Sequence, residues 1–261
     1  DEQEAQDEQD EQDEPDVLDE PGVQDEPDVL DEPDLLDEQD LLDAPPVYAA
    51  SLTSTTMVAT IDGQSYTSLQ DAINAAENGQ EIVLQSNVES KTGLKFSGTA
   101  NTPINQWKTF TIDAAGHNIT MTDVGIGASY CNVIIKNCLN LTINASKNPG
   151  VPADIAACYF EHATLTLNNC TNVTITNDLP KYQGGSGICV YNEGSLYFQH
   201  NTNVTISEYM HYTENEEGDR VGVSGIYMDC ENQDYTAPIG SINVTDQSTL
   251  TVTHCFHNGI T

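Results

Sequence analysis

Four segments of this chain, 132–143 (NVIIKNCLNLTI), 164–175 (TLTLNNCTNVTI), 195–206 (SLYFQHNTNVTI) and 241–252 (SINVTDQSTLTV), align beneath one another without a gap. They begin 32, 31 and 46 residues apart, so the unit is constant and only the chain between units changes length. A unit this short cannot bury an apolar side alone; it must stack on its neighbours to make a continuous core. Apolar residues alternate in every copy: Val133 and Ile135 then Leu141 and Ile143, Leu165 and Leu167 then Val173 and Ile175, Leu196 and Phe198 then Val204 and Ile206, Ile242 and Val244 then Leu250 and Val252. Period two marks a strand with one buried face, so each copy reads as two short strands joined by a corner.

A further strand precedes each later unit, in 155–159 (IAACY), 187–191 (GICVY) and 225–229 (GIYMD). A less regular set comes earlier, in 93–97 (GLKFS), 109–113 (TFTID) and 118–122 (NITMT). Three strands per repeat, with no helix between repeats, predict an all-β fold: a right-handed parallel β-helix solenoid. The last residues, 258–261 (NGIT), read as the start of another first strand. An uncapped end would expose a sheet edge and apolar core, so the solenoid is expected to continue past this sequence.

The formal charge of −35 is unevenly placed: residues 1–44 carry 22 acidic side chains and no Lys or Arg. They repeat as hexads (DEPDVL, DEPGVQ, DEPDVL, DEPDLL, DEQDLL) with only one or two apolar residues each. Charge repulsion and proline oppose compaction, and so little apolar surface cannot offset the ordering entropy. Residues 1–54 therefore read as a disordered acidic tail and linker, either a solvated spacer or a bait for cations or a basic partner. Residues 55–261 are left for the solenoid domain. No apolar run approaches the 18 or so residues of a membrane span. A nucleic-acid binder needs a basic face, which seven Lys and Arg in the whole chain do not supply.

Residues 58–86 read as strand, helix, strand and form the expected amino-terminal cap. Ser68 with Asp71 resembles a capping box, Leu69, Ala72, Ile73 and Ala76 make an apolar stripe, and Asn78 with Gly79 supplies the stop. The run 66–88 (YTSLQDAINAAENGQEIVLQSNV), followed by 110–121 (FTIDAAGHNITM), resembles the amino-terminal part of right-handed β-helix surface proteins of Gram-positive bacteria, particularly adhesin-like proteins of gut anaerobes. These share the pectate-lyase-like superfamily fold. The resemblance implies a secreted or cell-surface location. It leaves activity open, because the same scaffold carries polysaccharide lyases, glycoside hydrolases, phage tailspikes and binding-only adhesins.

Several motifs bear on function. Asn118, Asn140, Asn172 and Asn203 each stand just before the third strand of their repeat, where stacked amides would form a structural ladder along the stack. The ladder also accounts for the apparent glycosylation sequons at these positions, and strand repetition accounts for the one at Asn243. Outward third-strand positions are rich in threonine, the arrangement of ice-binding solenoids as well as an ordinary choice for a solvated strand face. Of seven cysteines, Cys138 and Cys170 share a corner position and Cys158 and Cys189 are expected to match in the first strand, as stacked free thiols.

A lyase of this superfamily would want carboxylates for calcium and a basic residue to take the α-proton. Arg220, the only arginine, lies in the acidic segment 207–225 (SEYMHYTENEEGDRVGVSG). No cofactor is expected; calcium is the one ion that segment could hold. A hydrolase would need paired carboxylates, but Asp154, Glu161, Glu193 and Asp229 do not align as a cluster in the sequence. His254, Cys255 and His257 would need further ligands to hold a metal.

The loops from third strand to next first strand (145–154, 177–186 and 207–224) should line one edge and flank the first-strand face. They carry Tyr182, Tyr209, Tyr212 and Arg220, the expected ligand-binding residues, because tyrosine beside polar side chains can stack on sugar rings. The leading expectation is thus a non-enzymatic adhesin or stalk whose lateral loops contact host or environmental glycans or surface proteins. A polysaccharide lyase or glycoside hydrolase is the alternative.

Overall fold

A computed structural model describes residues 56–150, 156–177, 185–210, 213–214, 220–221, 224–229, 240–255 and 259–260, with only the backbone of 213–214 and 220–221. The chain divides into two units, Asp1–Leu52 and Thr53–Thr261, and the described residues belong to the second. The acidic tail, Tyr182 and Tyr212 lie outside them.

The cap comprises β1 (Ala59–Ile61), β2 (Gln64–Tyr66), α1 (Leu69–Ala75) and β3 (Glu81–Leu84). Ser68 caps the helix, its Oγ accepting from the Asp71 N–H at 3.3 Å. Leu69, Ala72 and Ile73 are buried on the side facing the core, as the apolar stripe requires. The helix ends at Ala75, before the anticipated Asn78–Gly79 stop; the Lys108 ammonium donates to the Ala76 carbonyl instead.

Beyond the cap the chain is almost wholly strand: β4 (Val88–Ser90), β5 (Leu94–Ser97), a 3₁₀ turn at Ile104–Gln106, β6 (Lys108–Asp113), β7 (Ile119–Val124), β8 (Ile126–Lys136), β9 (Asn140–Lys147), β10 (Ala156–Asn168), β11 (Asn172–Thr176), β12 (Ser186–Tyr191), β13 (Ser195–Gln199) and β14 (Asn203–Ser207). There follow β15 (Thr213–Glu214), β16 (Arg220–Val221), β17 (Ile226–Asp229), β18 (Ser241–Val244) and β19 (Thr249–Val252). An 11-stranded sheet and a 6-stranded sheet hold nearly all of them, and successive repeats pair in parallel.

First and second strands do not separate in every repeat. In β8 and β10 they run together, bent at Tyr130 (φ 51) and His162 (φ 46). The register is the one the repeat predicts: Leu165 opposite Val133 and Leu196, Val173 opposite Leu141 and Val204, Leu250 opposite Val204. These inward residues from β8 to β14 are buried, each contributing about 1.5–3 kcal/mol relative to exposure.

Corners between second and third strands turn on residues that tolerate positive φ, Asn137 (φ 54) and Asn169 (φ 55). Their amides also stack: Asn137 Nδ2 donates to Asp113 Oδ1 at 3.1 Å and Asn169 Nδ2 to Asn137 Oδ1 at 2.9 Å. The expected ladder lies three residues further on. Asn140 Nδ2 donates to Asn118 Oδ1 at 2.8 Å and Asn172 Nδ2 to Asn140 Oδ1 at 3.0 Å. Asn203 departs from it, donating to the Thr171 carbonyl while its Oδ1 accepts from Thr249 Oγ1.

One sequence expectation is overturned by register. Cys158 pairs with Ile188, and Cys189 pairs with Tyr159. A one-residue offset reverses the face a side chain occupies, so Cys158 joins the main core while Cys189 packs outside it with Ala156 and Tyr159. The other described thiols are free as well.

Candidate functional site

The outward face of the first strands gathers the groups best suited to a ligand. Pairing of β5, β8, β10, β12 and β17 stacks two columns there: Lys95, Gly127, Tyr159, Cys189 and Tyr227, and beside them Ser97, Ser129, Glu161, Tyr191 and Asp229. Tyr159 and Tyr191 sit on the diagonal, their ring centroids 6.5 Å apart and their planes 26° from parallel. Tyr227 and Tyr191 are half-buried and Tyr159 is buried beside them, so an aromatic strip runs across three successive strands with two of its rings accessible.

Carboxylates border this strip. Tyr227 Oη donates to Asp229 Oδ2 at 2.9 Å. Burial, together with that carboxylate, pushes the Tyr227 phenol up to about 12. Glu161 and Asp229 occupy one column with Tyr191 between them, so two strand spacings, about 9.6 Å, separate their backbones. Spacing along the chain does not reveal this pair, because β-register across loops of unequal length is what brings the two carboxylates into line.

A recess of about 210 Å³ opens on the column at Lys95, Ser97, Gly127, Tyr159 and Glu161. A larger one of about 560 Å³ shares Lys95 and Ser97 and extends to Gln70, Asn74 and Lys108 beside the cap helix. Gly127 is fixed by the loop above it: a Cβ there would lie 3.3 Å from Pro149 Cδ and from the Gly150 nitrogen. Asn148 pins that loop, donating to the Ala156 carbonyl at 3.0 Å and accepting from the Gly150 N–H at 2.8 Å. The described part of the first lateral loop, around Asn148, Pro149 and Gly150, thus lies against the first-strand face.

The residues anticipated from sequence fare differently. Tyr209 is fully buried, and its hydroxyl lies 3.0 Å from the Ala145 carbonyl, so the expectation that it presents a ring to a ligand is corrected. Tyr209 breaks the inward parity of Val204 and Ile206, which would fall next on 208; Glu208 takes a positive φ of 67 just before it, so the strand's alternation ends there and the phenol enters the core. Arg220 lies in β16, its backbone opposite Glu214 of β15; its side chain falls outside the description. His254 pairs with Glu208 at 3.1 Å, and His257 is not described. Among the described residues no three His, Cys, Asp or Glu side chains gather closely enough to hold a metal ion, and no helix is long and apolar enough to cross a membrane.

Tyr159 and Tyr191 are not legible as outward residues, because IAACY and GICVY are apolar on both faces. Alternation, the signal that assigns inward and outward positions, is missing there. Comparison of the chain with models of known families, with curated proteins and with solved structures finds no match.

Proposed function

We propose that this chain is a non-enzymatic, secreted or cell-surface binding module, an adhesin or stalk built as a right-handed parallel β-helix, that holds glycans against its first-strand face. The observation that carries this reading is the half-buried pair Tyr191 and Tyr227, backed by buried Tyr159 and flanked by Glu161, Asp229 and Lys95. Aromatic faces stack on the apolar faces of sugar rings, and neighbouring carboxylates and hydroxyls accept and donate at their edges. In sequence, loops 145–154, 177–186 and 207–224 connect each third strand to the next first strand and carry Tyr182, Tyr212 and Arg220; Tyr182 and Tyr212 lie outside the described residues. The adhesin-like surface proteins that the cap and early strands resemble agree with this assignment.

A glycan array probed with the full 261-residue chain tests it. Binding that Tyr191→Ala and Tyr227→Ala each abolish, with the circular dichroism spectrum retained, is expected. An array without a bound glycan, or binding indifferent to both changes, overturns it.

A second reading rests on Glu161 and Asp229 sharing one column. Glycoside hydrolases work with two carboxyl groups facing one sugar bond, and register places these two on one face, two strands apart. Release of reducing ends from neutral polysaccharides, abolished by Glu161→Gln and Asp229→Asn, would replace the binding reading with hydrolysis. Calcium-dependent unsaturated ends abolished by Arg220→Ala would favour a lyase.

A further inference from the structure

The 6-stranded sheet, which carries none of the tyrosine strip, presents a different surface. Its strands β7, β9, β11, β14 and β19 bring five tripeptides into line: TMT at 120–122, TIN at 142–144, TIT at 174–176, TIS at 205–207 and TVT at 251–253. The middle residue of each points inward, and the flanking residues face out. Thr120, Thr142, Thr174, Thr205 and Thr251 consequently stack as one unbroken column. Adjacent strands are spaced about 4.8 Å and outward neighbours along a strand about 6.6 Å, which makes the face a grid.

Three properties restrict what such a grid can bind. No tripeptide contributes a charge, although the chain carries −35; Glu89, opposite Thr120, stands at one margin. Ionic ligands therefore gain little from it. It also has no aromatic ring on which a sugar could stack. Finally, among the described residues the hydroxyls of the central threonine column have no hydrogen-bond partner in the protein, whereas the neighbouring asparagines Asn118, Asn140 and Asn172 bond one another and stiffen the margin.

Exchanging one hydroxyl's water for one ligand group is nearly neutral in free energy. A small soluble ligand would gain too little. Only a partner that repeats in two dimensions engages the whole column at once, at no cost in burying charge, and the partner made of the same hydrogen-bonding unit throughout is ordered water. We propose that this face binds the surface of ice. Threonine hydroxyls would take lattice positions, and their methyl groups would order the water between.

The test is growth of single ice crystals, and recrystallisation in a frozen film, with the full chain. Thermal hysteresis and inhibition of recrystallisation are expected for the native sequence. Both should be lost in the double variant Thr142→Lys/Thr174→Lys, whose outward, half-buried positions leave the core intact, as circular dichroism checks. Tyr191→Ala, on the other sheet, should leave both intact, so failure here and failure of glycan binding are separable. Ice growth indistinguishable from an albumin control overturns the proposal, and so does full activity in the lysine pair. Retention on crystalline cellulose that the lysine pair abolishes, without an effect on ice, would reassign the face to a solid polysaccharide and equally overturn it.

Discussion

The hydroxyl of Tyr209 lies 3.0 Å from the carbonyl of Ala145, 64 residues earlier in the chain, and 3.2 Å from that of Thr176. One phenol thus reaches the ends of two successive third strands from inside the core, giving its proton to one carbonyl at a time. Burial pushes its pKa well above the ordinary phenolic value, so it stays a neutral donor. Tyr209→Phe leaves these carbonyls short of a donor and should cost about 1–3 kcal/mol. Tyr209→Ala adds a cavity and should cost about 3–5 kcal/mol, by analogy with other large aromatic truncations. Urea unfolding followed by circular dichroism measures both. Glycan binding by the folded Tyr209→Phe chain should be unchanged, since the ring faces no ligand.

Cysteine chemistry offers a second check on the packing. Burial pushes the thiols of Cys131, Cys138, Cys158 and Cys189 up to about 12 and that of Cys170 to about 11. The thiolate is the nucleophile, and at pH 8 these five offer almost none of it. Native iodoacetamide treatment followed by peptide mass spectrometry should leave all five unmodified while half-buried Cys255 reacts; in denaturant all should react. Rapid native labelling of Cys158 would show that the first-strand register is wrong.

Reading from sequence succeeded where physics is periodic. Leu141, Val173, Val204 and Leu250 announce their stack because one face is buried, the other is wet, and the spacing between copies is fixed. It failed where both faces are apolar. Nothing in IAACY or GICVY distinguishes inward Cys158 from outward Cys189, and a slip of one residue moves a side chain across the sheet. Tyr159, Tyr191 and Tyr227 escaped notice for that reason. Tyr209 was misplaced because an exposed loop tyrosine and a buried strand-end tyrosine look alike in sequence. The corner asparagines Asn137 and Asn169 were legible, since both occupy aligned positions and asparagine accepts positive φ, yet only the later ladder was read.

Glycine at the start of the first strands marks a close approach. A Cβ on Gly187 would lie 2.5 Å from Ile206 Cγ2 and 2.7 Å from the Gly225 carbonyl oxygen. One contact is a core side chain and the other backbone, so neither yields easily. Gly187→Ala should destabilise the chain by about 1–3 kcal/mol, as overpacking generally does. Its alanine partner in the stack, Ala157, is accommodated, so Ala157→Gly should be milder and lose mainly backbone preference. Thermal melts of the two variants side by side decide the point; equal melting temperatures would refute the close approach.

The cap is tied to the first repeat by charge, which makes its stability depend on pH at both extremes. Lys136 Nζ lies 2.6 Å from Glu81 of β3 and 3.4 Å from Asp113 of β6. Burial alone would raise the Asp113 pKa, but the Ala115 N–H, the Asn137 amide and Lys136 together outweigh it and hold the carboxyl below its ordinary 3.8. The stabilisation is therefore complete above about pH 3.8 and disappears as pH falls through the lower folded value. Lys136 behaves oppositely: its hydrogen bond to Glu81 is the main cause raising its pKa above 10.5, against the opposing effect of burial. That contribution is present below pH 10.5 and is lost as pH rises through the folded value. Asp113→Asn keeps an acceptor for the Ala115 N–H and removes the titrating charge. Urea midpoints measured from pH 2 to pH 7 should fall less steeply toward acid in this variant than in the native chain, while Lys136→Met should flatten the alkaline limb. Identical acid limbs in native and Asp113→Asn chains would show that the carboxylate does not hold the cap.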